Sequence, residues 1–188
     1  NIQLQGEKEY LSVDKKLNRL TVYTGELAKA EKSVVILPEE ARLESDKNLS
    51  LRSDPSFRKK AKLTFKNEIG KYLYEVDPAV VKAELLAELS RITKMAVFSK
   101  EKNVFLSSGN IINSPFFSHT FLVLAEEDFS EKGVIALLKK AEAGKVTLRF
   151  PVDPKEYWKL RTYYERRLSG RKKVSLFKFG IRPWWENR

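Results

Sequence analysis

The sequence predicts an α+β fold with largely antiparallel sheet, and three observations predict it. Residues 145–150 alternate Lys145, Thr147 and Arg149 with Val146, Leu148 and Phe150, the period of a strand with one polar and one apolar face. Pro151-Val152-Asp153-Pro154 then ends the strand and starts a helix: Asp153 supplies an N-cap oxygen, Pro154 a preset φ, and Glu156 the capping-box spacing. Seventy-six residues earlier the same construction occurs, with a strand at 71–76, the cap Asp77-Pro78, and a helix. The first half, in contrast, carries short alternating runs between polar turns, as a β meander does.

Taken in order, residues 10–13 and 19–24 read as a hairpin about the turn 14–18, with Leu11 and Val13 facing inward beside Leu20 and Val22. Arg19, Thr21 and Tyr23 then face outward. A strand at 33–37 is stopped by Pro38, and 39–57 reads mostly as loop. Residues 58–66 alternate Lys60, Lys62, Thr64 and Lys66 with Ala61, Leu63 and Phe65. The helix after Asp77 has the apolar stripe Val81, Leu85, Leu86, Leu89 and Ile92. Strands at 95–99, 104–107 and 116–124 follow. A helix at 130–142 turns Val134, Leu137, Leu138 and Ala141 inward and stops at Gly144. The helix after Asp153 docks through Tyr157, Leu160, Tyr164 and Leu168, with Gly170 as its C′ residue and a strand at 172–179 closing the chain.

With 188 residues and 42% hydrophobic content the chain can bury one substantial core. One domain, 1–188, is therefore expected, with similar halves 1–93 and 94–188 if the two strand, cap and helix units mark a duplication. No stretch approaches a membrane span, so a soluble chain with no membrane partner is expected. The absence of cysteine excludes disulfides, thiolate metal sites and a cysteine nucleophile.

A net charge of +11 favours polyanionic partners. Lys60 and Lys62 stand two residues and roughly 6–7 Å apart, near the phosphate spacing of a single strand, with Lys66 further along the same face. Lys145 and Arg149 form a second basic row, and Arg19 with Tyr23 a third site. Residues 155–188 hold eleven Lys and Arg against three Glu, including Arg171, Lys172 and Lys173, together with all three Trp. Cations interleaved with flat rings are what non-specific single-strand binding uses. At helical spacing, however, Tyr157 and Tyr164 read as core, and Trp184-Trp185 reads equally as a docking element for another protein.

Catalytic signals are sparse. His119 is the chain's one histidine, which excludes imidazole metal clusters and leaves a lone base, although a sheet histidine with satisfied bonds is the plainer reading. Phe117 and Phe121 are expected on its face. Glu126, Glu127 and Asp128 precede a helix, where the dipole favours acids in any protein. Asp14-Lys15-Lys16 fits an acid-x-Lys nuclease motif, a spacing expected about five times by chance in a chain of this composition. No phosphate-binding glycine loop and no Gly-x-Ser-x-Gly is present.

The run Phe150-Pro-Val-Asp-Pro-Lys-Glu-Tyr157 resembles the second strand-to-helix junction of the Whirly proteins, and Tyr72-Leu-Tyr-Glu-Val-Asp-Pro-Ala-Val80 the first. The Lys-Gly-Lys-Ala-Ala-Leu element of the plant members is absent, and the basic charge sides with the kinetoplastid mitochondrial guide-RNA-binding proteins of that fold. The resemblance implies a twofold ββββα layout, a homo- or hetero-oligomer, a tetramer in that family, and a mitochondrial setting. The resulting expectation is a non-enzymatic, cofactor-free and metal-free protein that binds single-stranded RNA, or DNA, by its backbone. Lys60, Lys62, Lys66, Lys145, Arg149, Arg19, Tyr23, Arg171, Lys172 and Lys173 would carry it, with RNA annealing as its activity. The alternatives are an accessory subunit docking by its aromatic tail and a divalent-metal nuclease using Asp14.

Overall fold

The structure, a computed structural model, describes residues 5–45, 63–100, 103–127 and 129–179. It is α+β and divides into two compact units, Asn1–Val123 and Leu124–Arg188. That division lies thirty residues beyond the 93/94 midpoint at which the sequence reading placed two halves.

The first unit opens with the strands β1 (Glu7–Val13) and β2 (Lys16–Tyr23), joined by Asp14 and Lys15, both at positive φ, the two-residue geometry that matches strand twist. The strands β3 (Lys32–Leu37) and β4 (Ala41–Glu44) complete a sheet of order β2-β1-β3-β4 in which β1 and β3 run parallel. Two expectations are corrected here. The short edge strand β4 lies in what reads as loop, its pairing to β3 supplied by a tight turn rather than by any run of its own. Leu11 is buried as expected, but Ser12 rather than Val13 is fully buried beyond it, in register with the core residue Ile36, and Leu20, opposite Tyr10, is 51% exposed. A buried serine among strand residues breaks the apparent alternation.

The second sheet of this unit has β5 (Tyr72–Val76) between β7 (Phe105–Ser108) and β8 (Phe117–Leu122), with β6 (Ala96–Ser99) outside β7. All its pairs are antiparallel. Helix α1 (Pro78–Ala83) leaves β5 through Asp77, whose Oδ1 accepts from Ala79 N at 2.8 Å. The expected single helix is broken: Glu84 takes a left-handed conformation, and α2 (Leu86–Thr93) starts anew. The break rotates the apolar face, burying Ala79, Val80, Ala83, Leu85, Leu86 and Leu89 and leaving Val81 and Ile92 39% and 52% exposed. The two helices, with Val34, Ile36 and Leu43 from the first sheet and Tyr74, Val76, Val97, Leu106 and Phe117 from the second, form one core.

The second unit is smaller. Helix α3 (Glu131–Lys140) is capped by Ser130, β9 (Ala143–Leu148) pairs in parallel with β10 (Lys172–Leu176), and α4 (Pro154–Glu165) starts at Asp153, whose Oδ1 accepts from Lys155 N. Val134, Leu138, Val146, Leu148, Tyr164 and Leu176 form its core, with Tyr157, Leu160 and Leu168 packed against it as the helical spacing predicts. Neither glycine punctuates a helix as expected: a Cβ on Gly144 would lie 2.0 Å from Gly170 O, and one on Gly170 1.9 Å from Glu142 O. Both are glycine because backbones cross there. Glu165 Oε1 accepts from Val146 N and Arg161 Nε, each at 2.9 Å, which satisfies the unpaired edge of β9.

Candidate active site

A β-bulge creates the most chemically specific group in the first unit. Along β8, Phe117 pairs with Val76 and His119 with Glu75, so Ser118 is an extra residue facing no partner of its own. Its Oγ donates to the Glu75 carbonyl at 3.2 Å, holding the bulge closed. The insertion reverses the side-chain alternation. Phe117 turns into the core, its ring 4.8 Å from that of Tyr74, whereas His119 turns to the face that carries the Glu75 side chain. The expectation that Phe117 shares the face of His119 is thereby corrected; Phe121 alone does, stacked at 5.8 Å.

Glu75 is 9% exposed, yet both its carboxylate oxygens are engaged. Oε1 accepts from Asn103 Nδ2, and Oε2 lies 3.0 Å from His119 Nδ1. A carboxylate can only accept, so the neutral imidazole carries its proton on Nδ1 and leaves the Nε2 lone pair unused. No described residue bonds Nε2, and the His119 side chain is 50% exposed. The arrangement is a base held in one tautomer by a buried, separately anchored acid.

His119 borders an open cleft of about 440 Å³. One wall comes from the β1–β2 turn, where Lys15 Nζ donates to Glu39 Oε1 at 2.8 Å and to Pro115 O at 3.0 Å. Another is the 112–115 loop, fixed from beneath by Tyr74: its buried ring sends Oη to accept from Ile112 N at 2.8 Å and to donate to Asn110 O at 3.0 Å. Asn113, Ser114, Ser118 and Thr120 make the remaining lining mostly polar. Such a cleft suits a substrate group with N–H or O–H bonds rather than a hydrocarbon.

The expected basic residues fall in both units. Lys60 and Lys62 lie outside the described residues, as do Trp184 and Trp185. Lys66 is exposed beside β6, its N–H donating to Val97 O at 2.9 Å. Arg19 is exposed on β2, and the Tyr23 hydroxyl of the same strand donates to Glu9 Oε1 at 3.0 Å, which holds the phenol above its usual range. In the second unit Lys145 and Lys173 stand side by side in register, and Arg149 extends the row past the end of β9. Arg171 is exposed, and Lys172 Nζ is paired with Glu142 at 2.7 Å. Trp158 is 65% exposed with the Arg161 guanidinium 5.3 Å from its ring centre. Asp14 occupies a left-handed turn position and serves the hairpin.

No protein family and no curated protein matches the sequence. Among solved structures, the chain is similar to a "putative methyltransferase" from Porphyromonas gingivalis W83, with a TM-score of 0.55 and 18% identity. The likeness covers 91% of this chain and 42% of that one, so the chain spans less than half the neighbour's length. At this identity the likeness shows the fold. The expectation of a non-enzymatic single-strand-binding protein is corrected to this extent: the solved structure that shares the fold carries an enzyme's name.

Proposed function

We propose that this chain is the acceptor-handling portion of a methyltransferase-like enzyme. What supports the reading most is the cleft at His119, a polar recess with an oriented base, in a chain whose fold recurs in part of a longer putative methyltransferase. A nucleoside donor such as S-adenosylmethionine has no phosphate but carries a carboxylate, and glycine-rich strand-to-helix turns leave helix N–H groups free for such an anionic group. The described residues do not fit such a donor. Asp77, Ser130 and Asp153 each turn their own side-chain oxygen onto the N-terminus of the helix they precede, and the two carboxylates repel an incoming anion as well. The donor site is assigned to a part of the enzyme other than these residues.

The test is methyl transfer from tritiated S-adenosylmethionine to a fractionated cell extract by the longest polypeptide that carries this sequence in frame. It is run beside its Thr120→Arg variant, which fills the cleft from an exposed position. Transfer that falls at least tenfold in the variant with donor affinity unchanged is the expected result. Transfer unaffected by the variant, or donor bound by the 188-residue chain alone in equilibrium dialysis, overturns the reading.

A further inference from the structure

We propose that His119 is the proton acceptor of the cleft and that Glu75 and Asn103 are its positioning residues. The inference rests on the cleft being the acceptor side for the identity of its substrate, but not for the chemistry of the imidazole. Three observations carry it. The bulge at Ser118 places a polar ring where an unbroken strand would direct it into the core. The buried Glu75 carboxylate is consumed on both oxygens, one by the ring and one by Asn103, so the acid is itself held in place. His119 lines the cleft, its side chain is half exposed, and no described residue bonds the opposite ring nitrogen.

A carboxylate, imidazole and substrate in line is how proteins orient a base and stabilise the cation formed when it accepts a proton. The step is a proton transfer from a substrate ammonium or hydroxyl group. The X–H bond breaks, the proton passes to Nε2, and the bonding pair stays on X as the nucleophilic lone pair. The resulting imidazolium is opposed by Glu75 and, with half its side chain in water, returns the proton to solvent. The stacked Phe121 ring limits rotation of the imidazole away from this alignment.

Because His119 is the sole histidine of the chain, its ring can be read without assignment ambiguity. Two-bond proton–nitrogen correlation spectra of the neutral ring are expected to show Nδ1 protonated and Nε2 bare. Carbethoxylation by diethyl pyrocarbonate, followed at 240 nm and by peptide mapping, is expected to slow about tenfold in Glu75→Gln, the equivalent of one charge-assisted hydrogen bond. Asn103→Ala, at an exposed position, is expected to slow it by a smaller factor and serves if the Gln variant fails to fold. An Nε2–H tautomer, or equal rates in the wild type and a folded variant, overturns the proposal. In the methyl-transfer assay, His119→Gln is expected to lower kcat with KM little changed. Full activity of that variant overturns the catalytic role alone. Absence of transfer by every polypeptide, with the tautomer and reactivity as expected, overturns the methyltransferase reading and supports the oriented base.

Discussion

Ser12 donates from Oγ to Asp77 Oδ2 at 2.8 Å, and both residues are fully buried. The other carboxylate oxygen of Asp77 caps α1, so one side chain starts a helix and ties the β5–α1 junction to β1, 65 residues away. The helix cap is therefore also a tertiary clasp, and both sheets of the first unit meet at it.

Replacing Asp77 by Ala removes the cap and leaves Ser12 Oγ and Ala79 N buried without partners, a loss of about 3 kcal/mol in stability. Asp77→Ser restores the local cap without reaching Ser12 and is expected to recover about 1 kcal/mol. Urea denaturation midpoints of the two variants and of Ser12→Ala check the division.

Glu7 gives the unit a pH dependence. Burial alone would push its carboxyl up, but the Ser33 hydroxyl, the Lys29 and Ala30 N–H groups and the Arg42 guanidinium outweigh this and hold it below the usual glutamate range. A group whose folded pKa is depressed stabilises fully above its unfolded value, about 4.3, and loses that contribution as pH falls through the folded value. Glu7→Gln is therefore expected to be less stable by about 2–3 kcal/mol at pH 7, with the gap closing as pH is taken below about 4. Denaturation at a series of pH values reads this.

Gly170→Ala places a methyl group against the carbonyls of Glu142 and Ala143, where only backbone displacement can relieve it. The expected loss is about 3 kcal/mol, confined to the second core. Hydrogen exchange is expected to show Val146, Leu148 and Leu176 losing protection while Leu73 and Leu106 keep theirs.

Tyr74→Phe keeps the ring in the core and deletes the hydroxyl that joins Asn110 to Ile112. A loss of about 1–2 kcal/mol is expected from the unpaired loop groups. The Ile112 amide is expected to exchange faster, and the cleft wall to lose its fixed position relative to His119.

What the sequence made legible was local. Asp77-Pro78, Ser130 and Asp153-Pro154 announce helices because a cap is decided within four residues. The alternation of Val146 and Leu148 and the docking face of α4 follow from nearby spacing in the same way. The parallel pairings β1 with β3 and β9 with β10 leave no comparable mark, being set by partners distant in the chain. Ser12 misled the alternation because its partner, Asp77, is supplied by the tertiary structure. The His119 site stayed hidden because a bulge is one residue of surplus, visible only against the strand opposite. The signal available was Glu75, an acid in a strand otherwise built of Tyr72, Leu73, Tyr74 and Val76, which had to meet a polar partner on burial.

The surplus residue in β8 also sets how this segment can vary. A strand with a bulge has two reading frames, one before Ser118 that delivers Phe117 to the hydrocarbon interior and one after it that delivers His119 to water. Deleting one residue between 117 and 119 would merge the frames and drive an imidazole toward the core or a phenyl ring out of it. The segment is thus intolerant of any change in length, which a scan of single-residue insertions and deletions along β8 would expose as a sharp minimum at Ser118.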